Sequence, residues 1–146
     1  MRQRILLICT ANVCRSPLAQ LVWAEQAQRR GKRTTVSSAG IDAQPGQRAD
    51  AMCIALMAER GLDLRAHRAE RVNLERAADQ DLILVMESRH AQRLCSAMPL
   101  LQGRVHLLGR WGMGEIDDPH GKERRQYEQC LEHIDASVGQ WLDRLR

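Results

Sequence analysis

The stretch ILLICTANVCRSP, residues 5–17, passes from an apolar run to a polar loop and then to a proline. Ile5 to Ile8 has the length and branched content of a buried strand. A helix has to follow at once, because Ser16 is a good N-cap, Pro17 suits the first helical position, and Leu18, Leu21 and Val22 share one face before Gly31. Between strand and helix, Cys9 stands six residues before Arg15. A loop leaving a buried strand for a helix turns several backbone N–H groups toward one point, where the helix dipole also favours negative charge. The stretch therefore predicts an anion site.

The rest of the chain supplies a sheet around it. Thr34 to Ser38 reads as a second strand, and Met52, Cys53, Leu56 and Met57 recur at helical spacing before Gly61. Leu82 to Met86 is apolar at every position, the mark of a strand covered on both faces. A short helix over Ser88 to Met98 leads to Pro99, and Val105 to Leu108 gives a fourth strand followed by WGMGEIDDPHG, residues 111–121. Tyr127, Cys130, Leu131, Ile134, Val138, Trp141, Leu142 and Leu145 keep a 3.6-residue period, so the chain ends in a helix with Tyr127 on its core face. Strands alternating with helices predict an α/β fold: a single three-layer domain, residues 1–146, around a central four-stranded, mainly parallel sheet. Ligands bind beyond the carboxyl ends of such strands, where the loop after Cys9 lies.

Composition narrows the function. In 146 residues no run approaches the roughly 18 apolar residues of a membrane span, and the N-terminus turns polar too early for a signal peptide. A cytoplasmic protein with no membrane insertion is expected. Five cysteines without an export signal fit a reducing compartment and reactive thiols better than a disulfide framework. The net charge of +4 suits anionic ligands, but QRRGKR at 28–33 and KERR at 122–125 read as solvated helix ends, so nucleic acid is not expected as a partner.

Cys9, under the loop donors and beside the Arg15 guanidinium, is in surroundings that favour the nucleophilic thiolate. Arg15 can grip two phosphoryl oxygens with its planar fork. An arginine in a first helical turn also sits at the wrong end of the dipole unless an anion or carboxylate offsets it. A buried inert thiol and a zinc pair of Cys9 and Cys14 are the competing readings; zinc lacks a second ligand pair. For the proton donor that phosphoester hydrolysis needs, Asp117 and Asp118 are both open, with Pro119 biasing Asp118 toward an extended backbone.

At these residues the chain resembles the low-molecular-weight protein tyrosine phosphatases of bacterial type, whose signature is Cys-x5-Arg-Ser/Thr near the N-terminus. Ser38-Ala-Gly40, Asp81 to Glu87, and Asp118-Pro119 extend the resemblance over nearly the whole chain. It implies that Cys9 is the nucleophile, Arg15 the phosphate clamp and Asp118, over Asp117, the general acid. Thr10, Ala11, Asn12, Val13, Cys14 and Ser16 would wrap the phosphate, with Ser16 also donating to the Cys9 sulfur. Asn12, Ser16, Ser38 and His67 would form a network that shapes the loop. No cofactor or metal is implied. The expected substrate is a phosphotyrosine protein, and the expected partner is a tyrosine autokinase controlling capsule or exopolysaccharide export.

Several features depart from that pattern. Ala11 stands where the family usually has glycine, so the backbone there must keep a negative φ. His120 and Gly121 replace the aromatic residues that usually follow Asp-Pro, which leaves a phosphotyrosine ring to pack on Thr10, Val13, His120 and the 41–46 loop. Arginine phosphatases resembling this family carry threonine where this chain has Val13, whose methyl groups suit an aromatic ring. An arsenate reductase on the same fold would need two neighbouring downstream cysteines, whereas Cys53, Cys95 and Cys130 are dispersed. A phosphate-binding module without turnover would keep the loop and dispense with the acid. Cys14 either packs under the loop or bridges to Cys9 on oxidation.

Overall fold

The computed structural model describes residues 2–145. The opening apolar run forms β1 (Gln3–Cys9), whose residues from Ile5 onward are all buried. It is followed by α1 (Arg15–Arg29), β2 (Thr34–Gly40), α2 (Ala51–Glu59), α3 (Leu74–Ala78), β3 (Leu82–Val85), α4 (Ser88–Ala97), a 3₁₀ turn at Pro99–Leu101, β4 (Val105–Leu107) and α5 (Arg124–Leu142). The sheet order is β2-β1-β3-β4, and every pairing is parallel. Alternation along β1 divides the core. Ile5 and Leu7 face Leu18, Val22 and Trp23 of α1 and Ile134, Val138 and Leu142 of α5. Leu6 and Ile8 face the opposite layer, with Ile83, Val85, Leu94 and Leu101. Both faces are covered, as an all-parallel sheet requires.

The expected elements are present with three adjustments. β2 runs two residues further, to Gly40, and brings that glycine opposite Cys9. α1 starts at Arg15 with Cys14 in the cap position and no side-chain cap; Ser16, expected to be the cap, has its hydroxyl engaged elsewhere. α3 and the 3₁₀ turn had no periodic signal because each is about one turn long; α3 is instead fixed by Asn73, whose side chain accepts from the Arg76 N–H at 3.1 Å. The chain crosses from one side of β1 to the other between β2 and β3. That switch point lies at the carboxyl end of β1, beside the 10–14 loop.

Candidate active site

The loop points its carbonyls outward. Cys9 O accepts from Ile41 N (3.0 Å), Thr10 O from Asp42 N (2.9 Å), Val13 O from Asp50 N (2.7 Å) and Cys14 O from Leu18 N (3.0 Å). Asn12 O accepts from His67 Nε2 at 2.7 Å, which fixes the proton on that ring nitrogen. With the acceptors held from outside, the N–H groups are left for the concave side, the arrangement of an anion-binding nest. The bend needs one residue at positive φ. Asn12 takes it, at 57°, and Ala11 keeps a negative φ as its Cβ demands.

Asn12 is fully buried and saturated. Its Nδ2 donates to Ser16 Oγ (2.7 Å) and Ser38 Oγ (3.0 Å), and its Oδ1 accepts from Glu70 N (2.9 Å). Ser38 in turn donates to Gln20 Oε1 at 2.7 Å. Because Ser16 Oγ already accepts from Asn12, its hydroxyl proton is available to the Cys9 sulfur, 2.9 Å away. The Asn12 N–H lies 3.3 Å from the same sulfur. Two donors thus converge on Cys9 Sγ.

Arg15 is 1% exposed, and the carboxylate that offsets it at the helix N-terminus is Glu87, just beyond β3. Arg15 Nη1 donates to Glu87 Oε2 (2.6 Å) and to Ile116 O (2.7 Å), while Nη2 faces Asp118 Oδ2 at 3.8 Å. Burial works against the Glu87 charge, but the Arg89 and Arg15 guanidiniums overcome it and hold the carboxyl down at about 2. His90 is neutral: burial, then the charges of Arg15 and Arg89, bring it to about 4. Its Nδ1 accepts from Glu87 N (3.1 Å), so Nε2 carries the proton and donates to Thr10 Oγ1 (2.9 Å). Arg89 Nη2 reaches the same hydroxyl at 2.8 Å.

A cavity of about 110 Å³ opens over this loop, lined by Cys9, Ala11, Val13, Arg15, Gln47 and Asp118, with Cys14 and His120 completing the wall. Asp117 is absent from this wall; it lines a neighbouring cavity of about 510 Å³, which Asp118 also borders. The 117–121 loop is tied down through Asp50, the N-cap of α2, whose Oδ2 accepts from Tyr127 OH (2.6 Å) and pairs with His120 Nδ1 (2.7 Å). Burial opposes the Asp50 charge, yet the hydrogen bonds from Tyr127, His120 and the Met52 N–H leave its carboxyl below the usual range.

The family model for low molecular weight phosphotyrosine protein phosphatase matches residues 4–146. The chain belongs to that family. It is a phosphatase, and the relatives below are similar over more than nine-tenths of their length. The low molecular weight protein-tyrosine-phosphatase Wzb of Escherichia coli K12 is 37% identical over 99% of this chain and 97% of its own. Among solved structures, Vibrio vulnificus Wzb in complex with benzylphosphonate is 31% identical with a TM-score of 0.91, covering 99% of this chain and 100% of that one. The YwlE arginine phosphatase of Geobacillus stearothermophilus is 27% identical with a TM-score of 0.88, covering 97% and 92%.

In this phosphatase Cys9, Ala11, Val13, Cys14, Arg15 and Asp118 line one cavity, while Asn12 and Ser16 are fully buried outside its wall and share one network with Ser38 and His67. Three placements differ from expectation. The Thr10 side chain turns to His90 and Arg89 and is not part of the cavity wall; Gln47 stands there, where the 41–46 loop was expected. Tyr127 is in the core, but its hydroxyl reaches Asp50. The Cys14 sulfur lies 3.1 Å from that of Cys53, and the dispersed cysteines of α2 and α5 converge on it. Glu87, His90 and Asp50 were missed. The signal for the first two was a Glu-x-x-His at the carboxyl end of a buried strand, where site residues of parallel sheets collect.

Proposed function

We propose that this phosphatase hydrolyses phosphotyrosine on protein through a phosphocysteine intermediate, the whole chain acting as one catalytic domain. The observation that carries the reading is the convergence of two donors on Cys9 Sγ, in a cavity shared with Arg15 and Asp118. Arg15, fixed through Nη1, presents Nη2 to the phosphoryl oxygens beside the inward N–H groups. Cys9 Sγ attacks phosphorus, the bond to the phenolic oxygen breaks, and Asp118 passes that oxygen its proton. Asp118 then takes a proton from water as the water attacks phosphorus, releasing phosphate and the Cys9 thiolate. The Ser16 hydroxyl donates to the departing sulfur. Each step balances without a metal.

The family resemblance extends the reading to a cytoplasmic enzyme acting on a bacterial tyrosine autokinase of capsule or exopolysaccharide export. No helix among the described residues is long and apolar enough to cross a membrane. Steady hydrolysis of an aryl phosphate in EDTA is expected, abolished in Cys9→Ser. No turnover by the wild type, or full turnover by the variant, would refute the reading.

The similarity to an arginine phosphatase supports a second substrate, phosphoarginine. Val13 argues against it. The residue lines the cavity and packs on Ala43 and Ala69, with no polar atom to offer a guanidinium leaving group. Lacking a useful hydroxyl in such a site costs about 1 to 3 kcal/mol, or roughly ten- to hundredfold in preference. Comparing kcat/KM for phosphotyrosine and phosphoarginine peptides, in wild type and Val13→Thr, separates the two.

A further inference from the structure

Three thiols gather beneath the loop without a part in the proposed hydrolysis. Cys14 is 3% exposed, Cys53 of α2 is 0% and Cys130 of α5 is 6%. Cys14 alone of these borders the active-site cavity with Cys9, and its sulfur is 3.1 Å from Cys53 Sγ. Among the described residues no group of His, Cys, Asp and Glu is placed to hold a metal ion, so the cluster calls for another explanation.

We infer that Cys14 and Cys53 form a dithiol that draws an oxidising equivalent off Cys9 and stores it as a Cys14–Cys53 disulfide. The inference rests on the proposed role of Cys9 as the reactive thiolate. α2 is held against the loop by the Asp50 N–H on Val13 O at 2.7 Å, one turn from Cys53. The two sulfurs therefore need only to close by about 1 Å to reach the disulfide length of about 2.05 Å.

Hydrogen peroxide is the oxidant. The Cys9 thiolate attacks one peroxide oxygen, the O–O bond breaks, and Cys9 sulfenic acid and hydroxide result. Cys14 sulfur then bonds to Cys9 sulfur; the S–O bond breaks, and the Cys14 proton leaves with the hydroxyl as water. Cys53 sulfur next attacks Cys14 sulfur and gives its proton to the hydroxide released in the first step. The Cys9–Cys14 bond breaks, and Cys9 leaves as thiolate. The net reaction is two thiols plus peroxide giving one disulfide and two waters, with Cys9 restored.

Two features set the direction of transfer. Asn12 N–H and Ser16 O–H both face the Cys9 sulfur, which makes it the better leaving thiolate. The Cys14 thiol is drawn down by its Cys130 neighbour, but Cys53 and burial push harder, and the net effect is upward. Cys14 therefore stays protonated, and with both thiols buried the pair is sheltered from peroxide until Cys9 presents an electrophilic sulfur.

The test is disulfide mapping after one molar equivalent of hydrogen peroxide, with activity on an aryl phosphate followed in parallel. The wild type is expected to keep most of its activity, with Cys9 alkylatable and the Cys14–Cys53 peptide pair dominant. Cys53→Ala, with unchanged basal kcat/KM, should stop at Cys9–Cys14 and lose nearly all activity until dithiothreitol restores it. Dominant Cys9–Cys14 or Cys14–Cys130 linkage in the wild type overturns the inference, and this map does not depend on the variant folding. Equal Cys14–Cys53 formation in Cys9→Ser overturns the route through Cys9 while leaving the phosphatase reading intact. A wild type without turnover before peroxide is added refutes the phosphatase reading instead.

Discussion

Gly40→Ala tests how tightly the sheet holds the anion loop. A Cβ built at Gly40 meets Thr10 O at 2.6 Å, Ala11 C at 2.9 Å and the Ala43 Cβ at 2.9 Å. Gly40 cannot retreat easily, because its N–H donates to Glu70 O and its carbonyl accepts from Val72 N, both at 2.9 Å. The loop has to yield, and Thr10 O must move about 0.8 Å to restore ordinary contact at 3.4 Å. Overpacking of this kind costs about 1 to 3 kcal/mol, which lowers Tm by roughly 3 to 10 °C in a domain of this size. Displacing the loop donors by nearly an ångström should lower kcat/KM by about a hundredfold, well beyond any loss of folded protein. Thermal melts by circular dichroism and aryl phosphate kinetics at 25 °C measure the two effects separately. A variant that melts lower but keeps wild-type kcat/KM would refute the claim that this contact sets the loop. One unchanged in both would refute the close approach itself.

Acid should destabilise the fold in two overlapping windows. His90 is held at about 4, so the stability from its neutral form is complete above its ordinary 6.5 and is lost as pH falls toward 4. Glu87 is held at about 2, so its contribution is present above 4.5 and fades as pH falls toward 2. Melts between pH 7 and 3 should show both losses in the wild type and only the upper one in Glu87→Gln; an identical acid profile would remove Glu87 from the account. Asp118→Ala should slow hydrolysis of a poor leaving group by about 10² to 10⁴ and spare a good one, with Asp117→Ala near wild type. A large effect of Asp117→Ala would exchange the two roles.

What could be read in advance depended on how local each signal was. β1, β3 and α5 were legible because apolar runs and a 3.6-residue period are properties of contiguous residues, and Gly31 and Gly61 follow their helices at positive φ. The placement of Cys9, Arg15 and Ser16 around one loop was legible for the same reason, since they lie within one loop and one helical turn. The supports were not. Glu87 reaches Arg15 across 72 positions, and Asp50 joins Tyr127 across 77, distances over which no periodicity carries. Ser16 shows the limit of a local rule: its cap preference was sound, but Asn12 and the Cys9 sulfur engage its hydroxyl more closely. The cysteines show the same limit, since Cys53 and Cys14 meet through α2 packing on the loop, 39 positions apart.

On the proposed roles, the position of Arg15 lets one guanidinium serve both the loop itself and a bound substrate. At a helix N-terminus it opposes the dipole, and at 1% exposure it cannot be offset by water. Glu87 supplies the permanent counter-charge on Nη1, while Asp118 supplies a looser one on Nη2 at 3.8 Å, with its own side chain 48% exposed. A phosphate dianion entering the cavity would take over the Nη2 side. Asp118 would then give up its contact with Arg15 and face the phosphate instead. On the proposed roles, binding therefore separates Asp118 from Arg15 and leaves it facing the leaving oxygen. Glu87, by holding Nη1 throughout, keeps the guanidinium from following Asp118 away from the phosphate.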